Sequence, residues 1–243
     1  MLATPLHRET QLTSIEDTIP SRCESLDRLL GGGFSIGEVV LIYGEARTGK
    51  TTLVIQTSIE AARRGSKVLY IDTDHSFTHQ RFSQLGGESS DAATQQILLF
   101  FPETFSAQTS LVESIENYLT ASTRMVVVDT ITSLYRVSLG SAEKTFSLNR
   151  ELNRQLAYLS EVAIRRKLLA LLTSQVHTRM DFPFGRIEPV ARRTLAHWPR
   201  TIIRLKNTPD RSRKEIIIER RRGRQSGSLK CLAMLTVRGF ESV

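Results

Sequence analysis

With two cysteines, Cys23 and Cys231, the chain offers no metal-ligand spacing of thiols, and isolated cysteines in a basic intracellular protein are expected to be reduced and structural. Long apolar runs are missing as well. No stretch approaches the roughly 18 residues that a membrane span needs, and the opening Met1-Leu2-Ala3-Thr4-Pro5 has no signal-peptide pattern. A cytoplasmic protein is the expectation. The sequence also lacks internal repeats and low-complexity linkers, and its 243 residues suit one doubly wound domain.

Acidic charge is scarce in the C-terminal third. Of 33 Lys and Arg, 13 fall between residues 189 and 230, opposed there only by Asp210, Glu215 and Glu219. The run Arg220-Arg221-Arg222-Gly223-Arg224 is the densest part. Such an excess creates a field that attracts a polyanion, with nucleic acid the natural candidate.

What is present is an alternation of apolar strands and amphipathic helices. Strands are expected at 39–43, 68–72, 97–101, 125–129 and 168–173, the apolar ones being buried on both faces as in parallel sheets. A short helix should begin near Ser25 and end at Gly31-Gly32-Gly33, and another should run from Lys50 to Arg64. Residues 108–120 place Leu111, Ile115, Tyr118 and Leu119 on one helical face, and Leu148, Leu152, Leu156, Leu159 and Ala163 keep the same spacing. Residues 176–190 are expected to form a loop, and 201–206, 215–220 and 229–237 antiparallel hairpins.

The chemistry is concentrated in Gly44-Glu45-Ala46-Arg47-Thr48-Gly49-Lys50-Thr51, a G-x-x-x-x-G-K-T phosphate-binding loop between a strand and a helix. Glycines let the backbone turn so that consecutive N–H groups and the helix's positive end surround a phosphate. Lys50 should reach the β- and γ-phosphates of ATP, the Thr51 hydroxyl should ligate Mg²⁺, and Thr52 completes the nucleotide-binding set. Asp129, at the end of an apolar strand, has the Walker B pattern and would hold Mg²⁺ with Thr51.

Ser25-Leu26-Asp27-Arg28-Leu29-Leu30-Gly31-Gly32-Gly33, Gly37-Glu38 and the phosphate loop together resemble the opening of the ATPase core of RecA-type recombinases of the archaeal and eukaryotic branch. The resemblance continues through Tyr70-Ile71-Asp72-Thr73-Asp74, Arg81-Phe82, Asp129, Leu134-Tyr135-Arg136, Thr173-Ser174-Gln175-Val176 and Leu195-Ala196-His197, covering about residues 17 to 220. It implies an α/β fold: a RecA-like P-loop NTPase core with a mostly parallel twisted sheet, helices on both faces and C-terminal antiparallel hairpins. Residues 1–18 would then form an arm and 19–243 the core. It further implies that Arg81 stacks over the nucleotide base, that Gln175 contacts the γ-phosphate, and that Arg136 and the 176–190 segment, with Arg179 and Arg186, meet DNA. Arg220, Arg221, Arg222 and Arg224 join that expectation through their charge.

The chain departs from the family's pattern at Asp74, where the resemblance implies a catalytic glutamate that orients the attacking water. Aspartate keeps the charge one methylene shorter, so slow hydrolysis is expected. Few residues precede the core, and no phenylalanine comes before Phe34, so the family's N-terminal DNA-binding domain and polymerising Phe-x-x-Ala segment have no counterpart in this sequence. The pattern is similar to the short core-only archaeal paralogues typified by RadB. The leading expectation is a recombination accessory ATPase that binds single-stranded DNA and assists a full-length recombinase without forming long filaments itself. The competing ones are a KaiC-like regulatory ATPase acting on protein partners and an autonomous strand-exchange enzyme.

Overall fold

The structure is a computed structural model that describes residues 17–87, 90–179 and 186–243, with the side chains of all of these except 177–179, 186–188, 227 and 228. Its strands are β1 (Thr18–Ile19), β2 (Phe34–Ser35), β3 (Val39–Gly44), β4 (Lys67–Asp72), β5 (Ile97–Phe100), β6 (Thr123–Asp129), β7 (Leu169–Ser174), β8 (Val176–Arg179), β9 (Arg186–Pro189), β10 (Thr201–Asn207), β11 (Arg213–Arg221), β12 (Arg224–Thr236) and β13 (Gly239–Ser242). Nine of them form the central sheet in the order β13-β12-β11-β10-β3-β7-β6-β4-β5. From β10 to β5 the pairing is parallel, and from β10 to β13 it is antiparallel. This is the expected α/β architecture.

The helices are α1 (Glu24–Leu30), α2 (Lys50–Arg63), α3 (His79–Gly86), α4 (Ser90–Thr94), α5 (Phe105–Glu113), α6 (Ser133–Ser138), α7 (Ala142–Arg166) and α8 (Arg192–Leu195). Because strand side chains alternate between faces, each central strand feeds two cores. Val40, Ile42, Tyr70, Val127 and Leu171 pack under α1 to α4 with Leu26, Leu53, Ile59, Phe82 and Phe240. Val39, Leu41, Ile71, Val126 and Leu172 pack under α5 and α7 with Phe105, Val112, Leu152, Leu156 and Leu159. Both faces of β3, β6 and β7 are therefore dry.

Four expectations need correction. The strand at Ile97–Phe100 lies at the sheet's edge, paired only with β4, so Leu98 is 46% exposed instead of buried. The helix expected over 108–120 starts earlier, where the Thr104 hydroxyl accepts from the Ala107 amide at 3.0 Å and caps Phe105–Glu113; a separate 3-10 turn, Ile115–Tyr118, follows, and Tyr118 is exposed. Residues 176–190 are not a plain loop: β8 and β9 pair in antiparallel register, with residues 180–185 outside the described part. The last expected strand ends at Thr236, and the chain turns back to form β13.

The parallel strands end in register. Asp72 lies beside Asp129, and Tyr43 beside Ser174. The loops after β3, β4, β6 and β7 thus share one edge, the crevice in which open α/β sheets bind ligands.

Candidate functional site

At that edge the chain turns from β3 into α2 through residues 44–49. A Cβ on Gly44 would sit 2.4 Å from the Leu205 carbonyl oxygen, so only glycine fits. Gly49 has φ 93°, the left-handed region, and a Cβ there would meet the Phe240 ring at 2.7 Å. Thr48 Oγ1 donates to the Glu45 carbonyl at 2.8 Å and closes the loop. No acidic residue occupies the first turn of α2 and no side chain caps it, so its amino end keeps its positive character. Lys50 Nζ donates to the carbonyls of Gly44 at 2.9 Å and Glu45 at 2.8 Å, so the ammonium is held over the loop. Burial lowers the Lys50 pKa, while Asp129, Asp74 and Glu45 pull it back up. A desolvated ammonium beside an uncapped helix amino end is a fit for a polyphosphate.

Asp129 is fully buried. It accepts from the Thr173 hydroxyl and, at 2.9 Å, from the Tyr70 hydroxyl, and it is within hydrogen-bond reach of the Thr51 side chain. Burial pushes its pKa up; the three hydroxyls oppose that. Among the described residues no cluster of three or more His, Cys, Asp or Glu could enclose a metal. One carboxylate beside one threonine hydroxyl instead suits Mg²⁺, which keeps waters and takes oxygens from phosphates. Tyr70 and Thr173 each stand inside a stretch that carries the resemblance, but neither had an assigned role.

The two expected γ-phosphate residues come together. Gln175 Nε2 donates to Asp74 Oδ2 at 3.2 Å, joining the loops after β7 and β4. Asp74 is exposed at the mouth of the crevice. The neighbouring Asp72 is buried and accepts from the Asp74 amide at 3.2 Å, Ser76 Oγ at 3.3 Å and the Phe77 amide at 2.7 Å, so it shapes the loop that carries Asp74.

Arg81 is fixed by three acceptors: Gln84 Oε1 at 3.3 Å, the Val237 carbonyl at 2.8 Å and Thr52 Oγ1 at 3.1 Å. Its guanidinium therefore ties α2, α3 and the β12–β13 turn into one wall beside the phosphate loop. Gln56, also unsuspected, braces the same wall: Nε2 donates to the Ser21 carbonyl at 2.7 Å and the Phe240 carbonyl at 3.2 Å, and Oε1 accepts from the Phe240 amide at 2.7 Å.

The basic residues divide into two groups. Arg136, on α6, and Arg224, at the start of β12, are exposed. Arg179 and Arg186 are register partners in the β8–β9 ladder. Arg220, by contrast, donates to the carbonyls of Ala196 at 2.7 Å and Pro199 at 3.1 Å, and Arg221 to that of Leu30 at 2.9 Å. Arg222 Nε reaches Ser35 Oγ at 3.2 Å. These three are half-buried parts of the framework, so the charge-based reading of the run as one free DNA surface does not match where its guanidiniums lie.

Comparison with known proteins places these features in context. Residues 15–221 match the Rad51 family. The chain is 34% identical over 210 residues to the DNA repair and recombination protein RadB of Methanococcoides burtonii, covering 86% of this chain and 92% of that protein. It is 37% identical over 223 residues to the protein of the same name from Thermococcus gammatolerans, covering 90% and 96%. A crystal structure of the RadB recombinase superposes with a TM-score of 0.79 at 33% identity, over 93% of this chain and 100% of that one.

Proposed function

The chain belongs to the Rad51 family, and on that premise we propose that it is a DNA repair and recombination protein that binds ATP with Mg²⁺, hydrolyses it slowly, binds DNA and assists a full-length recombinase. The observation that carries this is the meeting of Lys50, Thr51, Asp129, Asp74 and Gln175 at one sheet edge. Residues 44–52 hold the phosphates, Lys50 neutralises the β,γ-oxygens, and Arg81 lies against the base. When bound, Mg²⁺ neutralises charge on the phosphates; Thr51 and Asp129 are the groups that would hold it. Asp74 positions the attacking water. Its shortness supports slow turnover, because in-line attack depends on closely held positions, and the Gln175 amide takes up one of its acceptor sites. Gln175 links that site to β8–β9, where Arg179 and Arg186 sit, giving a route by which DNA stimulates hydrolysis.

A protein partner is supported by β5. Its outer backbone edge is unpaired within the described sheet, and Leu98 and Phe101, each 46% exposed, flank it. An open apolar edge is where a strand from another protein adds. A nucleoid-associated cytoplasmic location follows from this reading, and among the described residues no helix is long and apolar enough to cross a membrane. The test is a titration with single-stranded DNA, with and without ATP, repeated with a cognate recombinase. Salt-sensitive binding that ATP alters supports the proposal. Absence of DNA affinity alongside ATP-dependent capture of a protein would favour the KaiC-like alternative.

A further inference from the structure

On the face of the sheet opposite α2, a recess of about 420 Å³ opens between β3, β10, β11 and α8. Its size lies within the range of small-molecule sites. Among the described lining residues Leu41, Ile202 and Ile217 are apolar, Glu219 is the one carboxylate, and Arg192, Arg204 and Arg220 are the cations, Arg192 having an interaction partner of its own. That carboxylate is occupied: Tyr43 OH donates to Glu219 Oε1 at 2.6 Å, and burial, with Glu219 beside it, pushes the Tyr43 pKa up so that the proton stays on the phenol. Arg220 is spent on the Ala196 and Pro199 carbonyls. Arg204 is different. It is half-buried, shares a face with Ile202 by strand alternation, lies beside Tyr43 in the β10–β3 register, and makes no hydrogen bond or ion pair to any described residue.

A guanidinium carries five donors in a planar fork, and leaving them without an acceptor in a half-buried position is costly. A net excess of cations around an apolar lining selects a ligand that has a phosphate on a flat ring. We propose that this recess is a nucleoside-phosphate subsite in which Arg204 takes the phosphate and the Leu41, Ile202 and Ile217 side chains support the attached nucleoside. Pro189, the last residue of β9, lines the recess, which therefore adjoins the hairpin proposed to meet DNA. A phosphate here comes either from a nucleotide unit of a DNA strand, an assignment that rests on the proposed DNA-binding function, or from a free nucleotide.

The test uses the full chain carrying Lys50→Ala, which silences the phosphate loop, with Arg204 intact, Arg204→Gln or Arg204→Lys. Trp198, the single tryptophan and two residues from Ala196 in the recess wall, serves as the fluorescent reporter. Thymidine monophosphate should bind and thymidine should not; Arg204→Gln should weaken the monophosphate roughly tenfold, and Arg204→Lys by less. In the second arm, Arg204→Gln should weaken an oligothymidylate and lower its slope of log K against log salt by about 0.7, the share of one single-strand phosphate. Loss in the monophosphate arm alone identifies a free nucleotide as the occupant; loss in the strand arm alone identifies DNA. If both ligands bind Arg204→Gln as they bind the parent, the proposal is overturned. If the parent binds the monophosphate but no strand, the DNA-binding function fails and the subsite stands. Arg204 makes no hydrogen bond or ion pair to a described residue, so its replacement should leave the urea midpoint unchanged, which separates these outcomes from misfolding.

Discussion

Replacing Gly49 by alanine should uncouple the phosphate loop from the last strand of the sheet. At φ 93° an alanine costs about 1–2 kcal/mol in the left-handed region. Its Cβ would also stand 2.7 Å from two ring carbons of Phe240 and 3.1 Å from Leu235 Cδ2, an overpacking worth about 1–3 kcal/mol. The sum, about 2–5 kcal/mol, is a large part of the roughly 5–15 kcal/mol that keeps a domain folded. The ring has little room to retreat, because Phe240 is buried and Gln56 holds its backbone at both amide and carbonyl. Trimming the ring with Phe240→Leu should therefore remove most of the steric part, and Gly49→Ala in that background should cost the dihedral part plus the smaller approach to Leu235. Urea unfolding of the four proteins, followed by far-ultraviolet dichroism and Trp198 fluorescence, gives the coupling directly. An equal cost of Gly49→Ala in both backgrounds would refute the idea that β13 is the wall behind the phosphate loop.

At the proposed catalytic edge, Asp74→Glu should raise ATP turnover, and Asp74→Asn should lower it by about 10²-fold or more if the carboxylate positions the water; equal rates for the three proteins in a steady-state assay would remove Asp74 from the proposed catalysis. In the arginine run, Arg220→Gln should destabilise by about 1–3 kcal/mol through the abandoned Ala196 and Pro199 carbonyls and leave the salt slope of DNA binding alone. Arg224→Gln should leave the urea midpoint where it was and lower that slope by about 0.7, so the reverse pattern would restore the charge-based reading. Asp129 carries a raised pKa in the folded protein, so between the unfolded value near 3.8 and the folded value the native state binds more protons than the unfolded chain. Its contribution to stability should fall as pH rises through that window, and the stability difference between wild type and Asp129→Asn, measured by urea titration without nucleotide, should shrink accordingly. A difference that is flat or growing with pH would contradict the burial argument.

The order of strands and the phosphate loop were legible because their signals are local. An apolar strand, two glycines at fixed spacing and a lysine at the start of a helix specify one geometry. Burial of β5 was not legible. Ile97, Leu98, Leu99 and Phe100 form an apolar run like that of β6, and nothing within such a run says how many neighbours the strand will have. The β8–β9 hairpin was hidden for the opposite reason. Its strands, Val-His-Thr-Arg and Arg-Ile-Glu-Pro, hold little apolar alternation, so main-chain pairing defines them. The contact of Gln175 with Asp74 joins residues 101 positions apart, and only the finished sheet brings their loops together.

The arginine run shows what a count of charge leaves out: where each guanidinium is held. Counting treats each guanidinium as a free unit of field, but β11 delivers successive side chains to opposite faces of the sheet. Arg221 is carried to the carboxyl end of α1, where it satisfies the Leu30 carbonyl that the helix leaves unpaired. Arg220 is carried to the other side, where it takes the Ala196 carbonyl at the end of α8. Cations at helix carboxyl ends are favoured by the same dipole that favours phosphate at the amino end of α2. One stretch of basic sequence thus serves as framework where helices end against it and stays exposed at Arg224, where none does. The segment that composition marks as a nucleic-acid surface is therefore divided residue by residue according to which helix termini the fold brings within a side chain's reach.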